Sequence, residues 1–248
     1  MSDHCQELVA KADKDRFLSC LFAPVDARPL LFALYAFNVE IARIRETVSE
    51  AQIGLVRQQW WLDTIDGIYA GRTPDHPVAQ ALAQAIAKGD LPKHALHNLI
   101  IAHEFDLYDD PLPTLSDLEG YLGETSSSLI QMAALILGKG AAEAAGLAGV
   151  AFGLAGVLRL QKTRYLPRDM VQRHGEKETI NQLCTHARKR LTEARALLGS
   201  IPAQALPAFL PASLTQLYLR RIEHGGAFEV SQLRRQFTLW WAARNNRF

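Results

Sequence analysis

The stretch Leu34-Tyr-Ala-Phe-Asn-Val-Glu-Ile-Ala-Arg-Ile-Arg-Glu46 decides how this chain folds. With Leu30 and Leu31 just upstream, its apolar residues Leu34, Phe37, Ile41 and Ile44 recur every three or four positions. Residues at that spacing share one face of an α-helix, so one side of the segment is expected to be buried. Charged residues Glu40, Arg43, Arg45 and Glu46 are interspersed toward its C-terminal end. Arg43 and Arg45 have two readings. On a solvated face they pair with Glu40 and Glu46 one turn away. Turned toward a ligand, their guanidinium forks suit a phosphate or another anionic group.

Helical spacing continues outward from this stretch. Ile53, Val56, Trp60, Ile65 and Ile68 repeat it less strictly, and no run shows the sustained alternation of a strand. Thr114-Leu-Ser-Asp117 reads as a capping box that opens a helix through Tyr121 and Leu135. Pro167 is expected to end the helix before it, while Pro202, Pro207 and Pro211 punctuate the later ones. The expectation is an all-α protein of roughly eight to ten helices. No Pro-, Gly- or Ser-rich linker divides the 248 residues, so 1–248 is read as one helical domain.

A hydrophobic content of 48% and a charged content of 21% are those of an ordinary globular protein. Cys5, Cys20 and Cys184 show neither C-x-x-C nor zinc spacing and are expected to be reduced thiols. The isolated pair His4-Cys5, near a terminus expected to fray, is not read as a metal site. The start, Met1-Ser-Asp-His-Cys-Gln-Glu-Leu8, lacks the basic and apolar regions of a secretory signal. Ala144 to Leu158 is uncharged but shorter than the roughly eighteen residues of a membrane span, and is read as a buried helix. Its Gly149, Gly153 and Gly156 allow a neighbouring helix or a lipid tail to come close. Together these features predict a cytoplasmic protein, at most peripheral to the inner membrane.

Charge is unevenly spread. Residues 1–158 hold 11 Lys/Arg against 20 Asp/Glu, whereas residues 159–248 hold 16 against 6. Arg188-Lys189-Arg190, Arg220-Arg221 and Arg234-Arg235 either form a patch for an anionic membrane or acidic partner, or pack beside the acidic helices and are neutralised. Asp63 and Asp66, like Asp106, Asp109 and Asp110, read as solvated acids rather than metal ligands. No phosphate loop, nucleophile elbow or helix-turn-helix signature is present, and no nucleic-acid partner is expected.

Several short motifs carry a family resemblance: Asp15-Arg-Phe-Leu18, Ala23-Pro24, Leu34-Tyr-Ala-Phe37, Trp60-Trp61, His76-Pro77 and Tyr165-Leu-Pro167. With them the chain resembles the squalene/phytoene synthase family over nearly its whole length. The resemblance implies an isoprenoid-synthase helical bundle around a central cavity, which Phe37, Ile41, Leu129, Met132 and Phe152 are expected to line. In that family the first motif continues into an Asp-rich run that holds Mg²⁺ against a prenyl diphosphate. Here the corresponding residues are Ala42, Arg43, Ile44, Arg45 and Glu46, which leaves one acid. The second motif keeps its two ends in Gly153 to Pro167, with no carboxylate between Glu143 and Asp169. Mg²⁺ favours hard oxygen ligands, and two guanidinium groups would repel it.

The resemblance therefore implies a degenerate diphosphate site of Arg43, Arg45, Glu46, Arg159, Lys162 and Arg164, with no catalytic residue, metal or cofactor. Ala36-Phe-Asn-Val-Glu40 and the run from Ser49 to Trp60 are most similar to the branch named for mitochondrial complex I assembly factor 6. That branch implies a non-catalytic role with respiratory-complex subunits or assembly proteins as partners, and with a prenyl lipid or prenyl diphosphate as ligand. Two other classes stay open. One is an active head-to-head prenyltransferase using Mg²⁺; the other is a lipid carrier with no protein partner.

Overall fold

The computed structural model describes residues 2–138, 140–224 and 230–248; among them there are helices and turns and no strand. The chain forms two compact units, residues 1–108 with 132–140, and residues 109–131 with 141–248.

The first unit holds α1 (Ser2–Ala12), α2 (Lys14–Cys20), α3 (Arg28–Ala42), α4 (Ile44–Thr47), α5 (Ala51–Tyr69), α6 (Pro77–Gly89) and α7 (Lys93–Ala102), followed by a 3₁₀ turn at His103–Leu107. Its centre is α3, opened by Pro29 and buried from Leu31 to Val39 and again at Ile41. The N-terminal helix does not fray: α1 packs on α3, with Cys5 and Val9 fully buried. Asp13 caps α2 by accepting from the Arg16 amide at 3.1 Å and the Arg16 side chain at 2.6 Å. The Arg16 guanidinium then lies 5.7 Å from the Tyr35 ring, and Phe17 stacks on Phe32 at 5.7 Å. Two of the short motifs in the sequence are thus the packing that joins α2 to α3.

The second unit holds α8 (Leu115–Leu122), a π-helical turn at Gly123–Ser127, the start of α9 (Ser128–Ile136), α10 (Ala142–Arg159), α11 (Arg168–His174), α12 (Glu176–Ala196), α13 (Leu206–Phe209), α14 (Thr215–Glu223) and α15 (Gln232–Arg244). The capping box is present: Thr114 Oγ1 accepts from the Asp117 amide at 3.3 Å, and Asp117 Oδ2 accepts from the Thr114 amide at 3.0 Å. Helix α10 is long and apolar enough to cross a membrane by length and composition, and 67% of it is buried inside the fold. Its two close approaches are to the α8–π segment. A Cβ on Gly149 would sit 2.2 Å from Ser127 Cα, and one on Gly153 2.8 Å from Leu122 Cδ2, whereas one on Gly156 would meet nothing within 4 Å.

Two further expectations need correction. Pro167 does not end the glycine-rich helix; α10 stops at Arg159, because Gln161 adopts a left-handed φ of 54° and the chain then enters a 3₁₀ turn at Thr163–Tyr165. Pro167 instead precedes α11 as its N-cap residue. The helices also outnumber the expected eight to ten, since α3 breaks at Arg43 (φ −91°, ψ −1°) and the prolines from 202 to 211 split that region into single turns.

Two arginines of the basic run Arg188-Lys189-Arg190 are neutralised within the second unit. Arg188 makes a bidentate pair with Glu223, at 2.6 and 2.5 Å. Arg190 grips Glu119 at 2.7 and 3.1 Å and reaches Glu193 at 3.1 Å, while His186 Nε2 lies 2.8 Å from Glu119. Burial pushes the Glu119 carboxyl upward, but hydrogen bonds from Arg190 and His186 outweigh it and hold the group below the usual carboxylate range.

These contacts set the expected effects of three substitutions on stability. Gly149→Ala, which forces a methyl into Ser127 backbone, is expected to destabilise by about 1–3 kcal/mol in urea titration. Gly156→Ala is expected to be neutral or slightly stabilising, because only the helix propensity changes. For Glu119, a folded-state pKa below the unfolded one contributes stability above the unfolded value that is lost as pH falls through the folded value. Glu119→Gln should therefore melt lower than wild type at pH 7, and the difference should shrink as the pH is taken down to about 3.

Candidate ligand site

A half-open hollow of about 340 Å³ lies within the first unit, between the α3–α4 break, α5 and the turn into α6. Its floor is aromatic. Trp61, almost fully buried, meets Phe37 edge-on at 5.2 Å and Trp60 at 5.0 Å, and the His76 ring stands 5.4 Å from both tryptophans. His76 is also the N-cap of α6: its Nδ1 accepts from the Ala79 amide at 3.4 Å, which fixes the ring over the tryptophans. Around this floor stand Glu40, Arg43, Thr47 and Arg57. Arg57 donates to Thr47 Oγ1 at 2.6 Å. Arg43 Nε lies 3.7 Å from Glu46 Oε2, an i,i+3 pair with both side chains at least half exposed, which holds the arginine only weakly.

Two guanidinium groups and a hydroxyl beside rings packed edge-on can take an anionic group attached to a flat or apolar body. They do not suit Mg²⁺. The carboxylate of Glu46 is turned to Arg43, and among the described residues no group of three or more His, Cys, Asp or Glu side chains gathers to hold a metal ion.

The other anticipated residues have separate surroundings. Arg45 is half-buried and lies outside the lining of this hollow. In the second unit Arg159 lies 3.9 Å over the Tyr218 ring, buried Arg164 pairs with Asp109 at 3.1 Å, and Lys162 is exposed. Arg164 also ties down the loop before α8, because its carbonyl accepts from the Leu112 amide at 3.1 Å. Phe37, Ile41 and Met132 of the first unit, and Leu129 and Phe152 of the second, are all buried.

Among the acids, Asp66 accepts from Lys93 at 2.8 Å and meets His97 at 2.8 Å, which together hold its carboxyl below the usual range. Asp106 pairs with His103 at 2.6 Å. Sequence reasoning overlooked Thr47 and Arg57 and used His76 only as a family marker. The available signal was Arg57 standing three residues before Trp60, one helical turn away.

This helical fold is that of squalene and phytoene synthases, and the chain belongs to the squalene/phytoene synthase family, whose model matches residues 9–241. It superposes on squalene synthase HpnC from Alicyclobacillus acidocaldarius with a TM-score of 0.73 at 19% identity, covering 100% of this chain and 95% of that one. A dehydrosqualene synthase gives 0.77 at 18% identity, covering 97% and 94%. Sequence similarity is higher to proteins of another name. The chain is 34% identical over 243 residues to the Bos taurus protein "NADH dehydrogenase (ubiquinone) complex I, assembly factor 6", covering 89% of this chain and 73% of that protein. For the Homo sapiens protein of that name the identity is 32% over 246 residues, covering 90% and 74%.

The geometry of the hollow predicts binding of pyrophosphate or a short prenyl phosphate without metal. In titration calorimetry the affinity should be unchanged by EDTA, and Arg43→Ala with Arg57→Ala should weaken it by about tenfold or more.

Proposed function

We propose that this chain is a respiratory complex I assembly-type factor built on a squalene/phytoene synthase scaffold, and that it does not condense prenyl diphosphates. The observation that carries this reading is the 34% identity, over about nine-tenths of the chain, to a protein named for complex I assembly. Side-chain chemistry supports it. Ionising an allylic diphosphate leaves charge on the departing group, and loss of a single preorganised stabiliser of such charge costs about a hundred- to a thousandfold in rate. Here Arg43, Arg45 and Glu46 follow the first motif, and the turn after α10 carries Arg159, Lys162 and Arg164. Arginines can bind a diphosphate, but binding that does not favour the transition state gives no acceleration.

On this reading the partners are subunits or assembly proteins of the respiratory complex, and a prenyl lipid is retained as a structural ligand. Two experiments test the parts separately. Affinity capture of the tagged chain from its native source should recover complex I subunits or assembly proteins, and loss of the chain should lower assembled complex. Recovery of none, with complex levels unchanged, refutes the assembly role. Protein incubated with farnesyl or geranylgeranyl diphosphate, NADPH and Mg²⁺ should release no pyrophosphate and form no hydrocarbon. Product in excess of enzyme, abolished by EDTA, would establish the synthase instead. Solvent extraction of the purified chain should yield a prenyl lipid.

A further inference from the structure

Helix α15 has two unlike faces. Arg235, Leu239 and Ala242, spaced by four and three residues, are buried, and the helix packs on the 3₁₀ turn Leu210–Leu214 of the same unit. Leu233, Phe237, Trp240 and Trp241 are 79%, 63%, 49% and 50% exposed. With successive residues about 100° apart, these four fall within an arc of roughly 100°, with Arg244 inside it and Arg234 at its edge. The Phe237 and Trp240 rings are 5.9 Å apart, and Leu233 and Trp241 flank them on the same arc, so the four form one apolar plate along the helix. Single exposed apolar side chains need no explanation, but a contiguous plate marks a contact surface.

The charges on the helix indicate what the plate meets. From Gln232 to Arg244 there are three arginines and no acid, and Arg247 follows. Arg188 and Arg190 of this unit are held by Glu223 and Glu119, yet among the described residues no carboxylate stands at ion-pair distance from Arg234, Arg244 or Arg247. At the C-terminal end of the plate, Trp241 and Arg247 help to wall a mainly apolar hollow of about 450 Å³ together with Arg195, Leu198 and Phe248. Tryptophans with an apolar body and a polar edge, flanked by arginines whose stems are apolar and whose heads are charged, match the boundary between lipid head groups and acyl chains.

We propose that α15 is an interfacial helix that lies on an anionic phospholipid surface, burying Leu233, Phe237, Trp240 and Trp241 at the head-group boundary and setting Arg234, Arg244 and Arg247 against lipid phosphates. The hollow beside Trp241 receives one head group with the start of its chain. This goes beyond the assembly role and stands whether or not that role holds.

The test is cosedimentation of the full chain with large unilamellar vesicles of phosphatidylcholine alone, or mixed with phosphatidylglycerol. Binding is expected to the mixed vesicles, to be weak on the neutral ones, and to fall in molar salt. Arg234→Gln with Arg244→Gln should weaken binding to anionic vesicles by roughly thirtyfold. Phe237→Ser with Trp240→Ser should abolish it while the protein melts as wild type, since both side chains project into solvent. No binding by wild type, equal binding to neutral and anionic vesicles, or full binding by the serine variant would each overturn the proposal. So would a wild-type dimer that binds no vesicles and that the serine variant converts to monomer, which would assign the plate to a second copy of the chain.

Discussion

The second unit depends on one close approach, the bare backbone of Gly149 on α10 against Ser127 at the end of the π-helical turn. A Cβ there would stand 2.2 Å from Ser127 Cα, so only glycine permits the separation. At that distance Ser127 Oγ donates to the Gly146 carbonyl at 2.8 Å, and Thr125 Oγ1 donates back to Tyr121 at 2.7 Å. These bonds satisfy polar groups where the widened turn disturbs the ordinary helical ladder. With α8 and the π turn seated on one side of α10, helices α12 and α14 pack against the same core helix, and Leu154, Ala155 and Leu158 are buried.

This arrangement explains which features were legible in the sequence. The capping box at Thr114 could be read because both of its hydrogen bonds close within four residues. The small residues of α10 could be read as a contact face, and Gly149 and Gly153 make that contact while Gly156 faces open space. The π turn carried no local sign, and the backbone it packs against, at Gly149, lies some twenty residues further along the chain. The break at Arg43 was equally hidden: neither glycine nor proline marks it, and Ile44 keeps the apolar period across it.

The candidate site divides in the same way. Its components were visible as short motifs, since Phe37, Trp60, Trp61 and His76 each belong to a run that carries the family resemblance. Their meeting was not visible, because the rings come from α3, α5 and the cap of α6, and edge-on contacts of about 5 Å depend on tertiary packing. Charge shows the same limit. The surplus of Lys and Arg after residue 158 is plain in the sequence, yet Arg190 finds Glu119 71 residues earlier in the chain. Pairings of that kind separate arginines that serve the fold from those that remain for a partner.

The two arginines at the aromatic hollow also bear on the difference between binding an anionic ligand and reacting it. A metal ion bound by opposed carboxylates stabilises charge as a diphosphate departs, so its effect grows along the reaction coordinate. A guanidinium held by a neighbouring carboxylate or hydroxyl, as Arg43 is by Glu46 and Arg57 by Thr47, is equally available to an anion in its ground state. Interactions of equal strength in ground and transition states lower a dissociation constant and leave the chemical barrier unchanged. A pair of guanidinium groups placed beside aromatic rings in this way therefore favours holding an anionic ligand over breaking it.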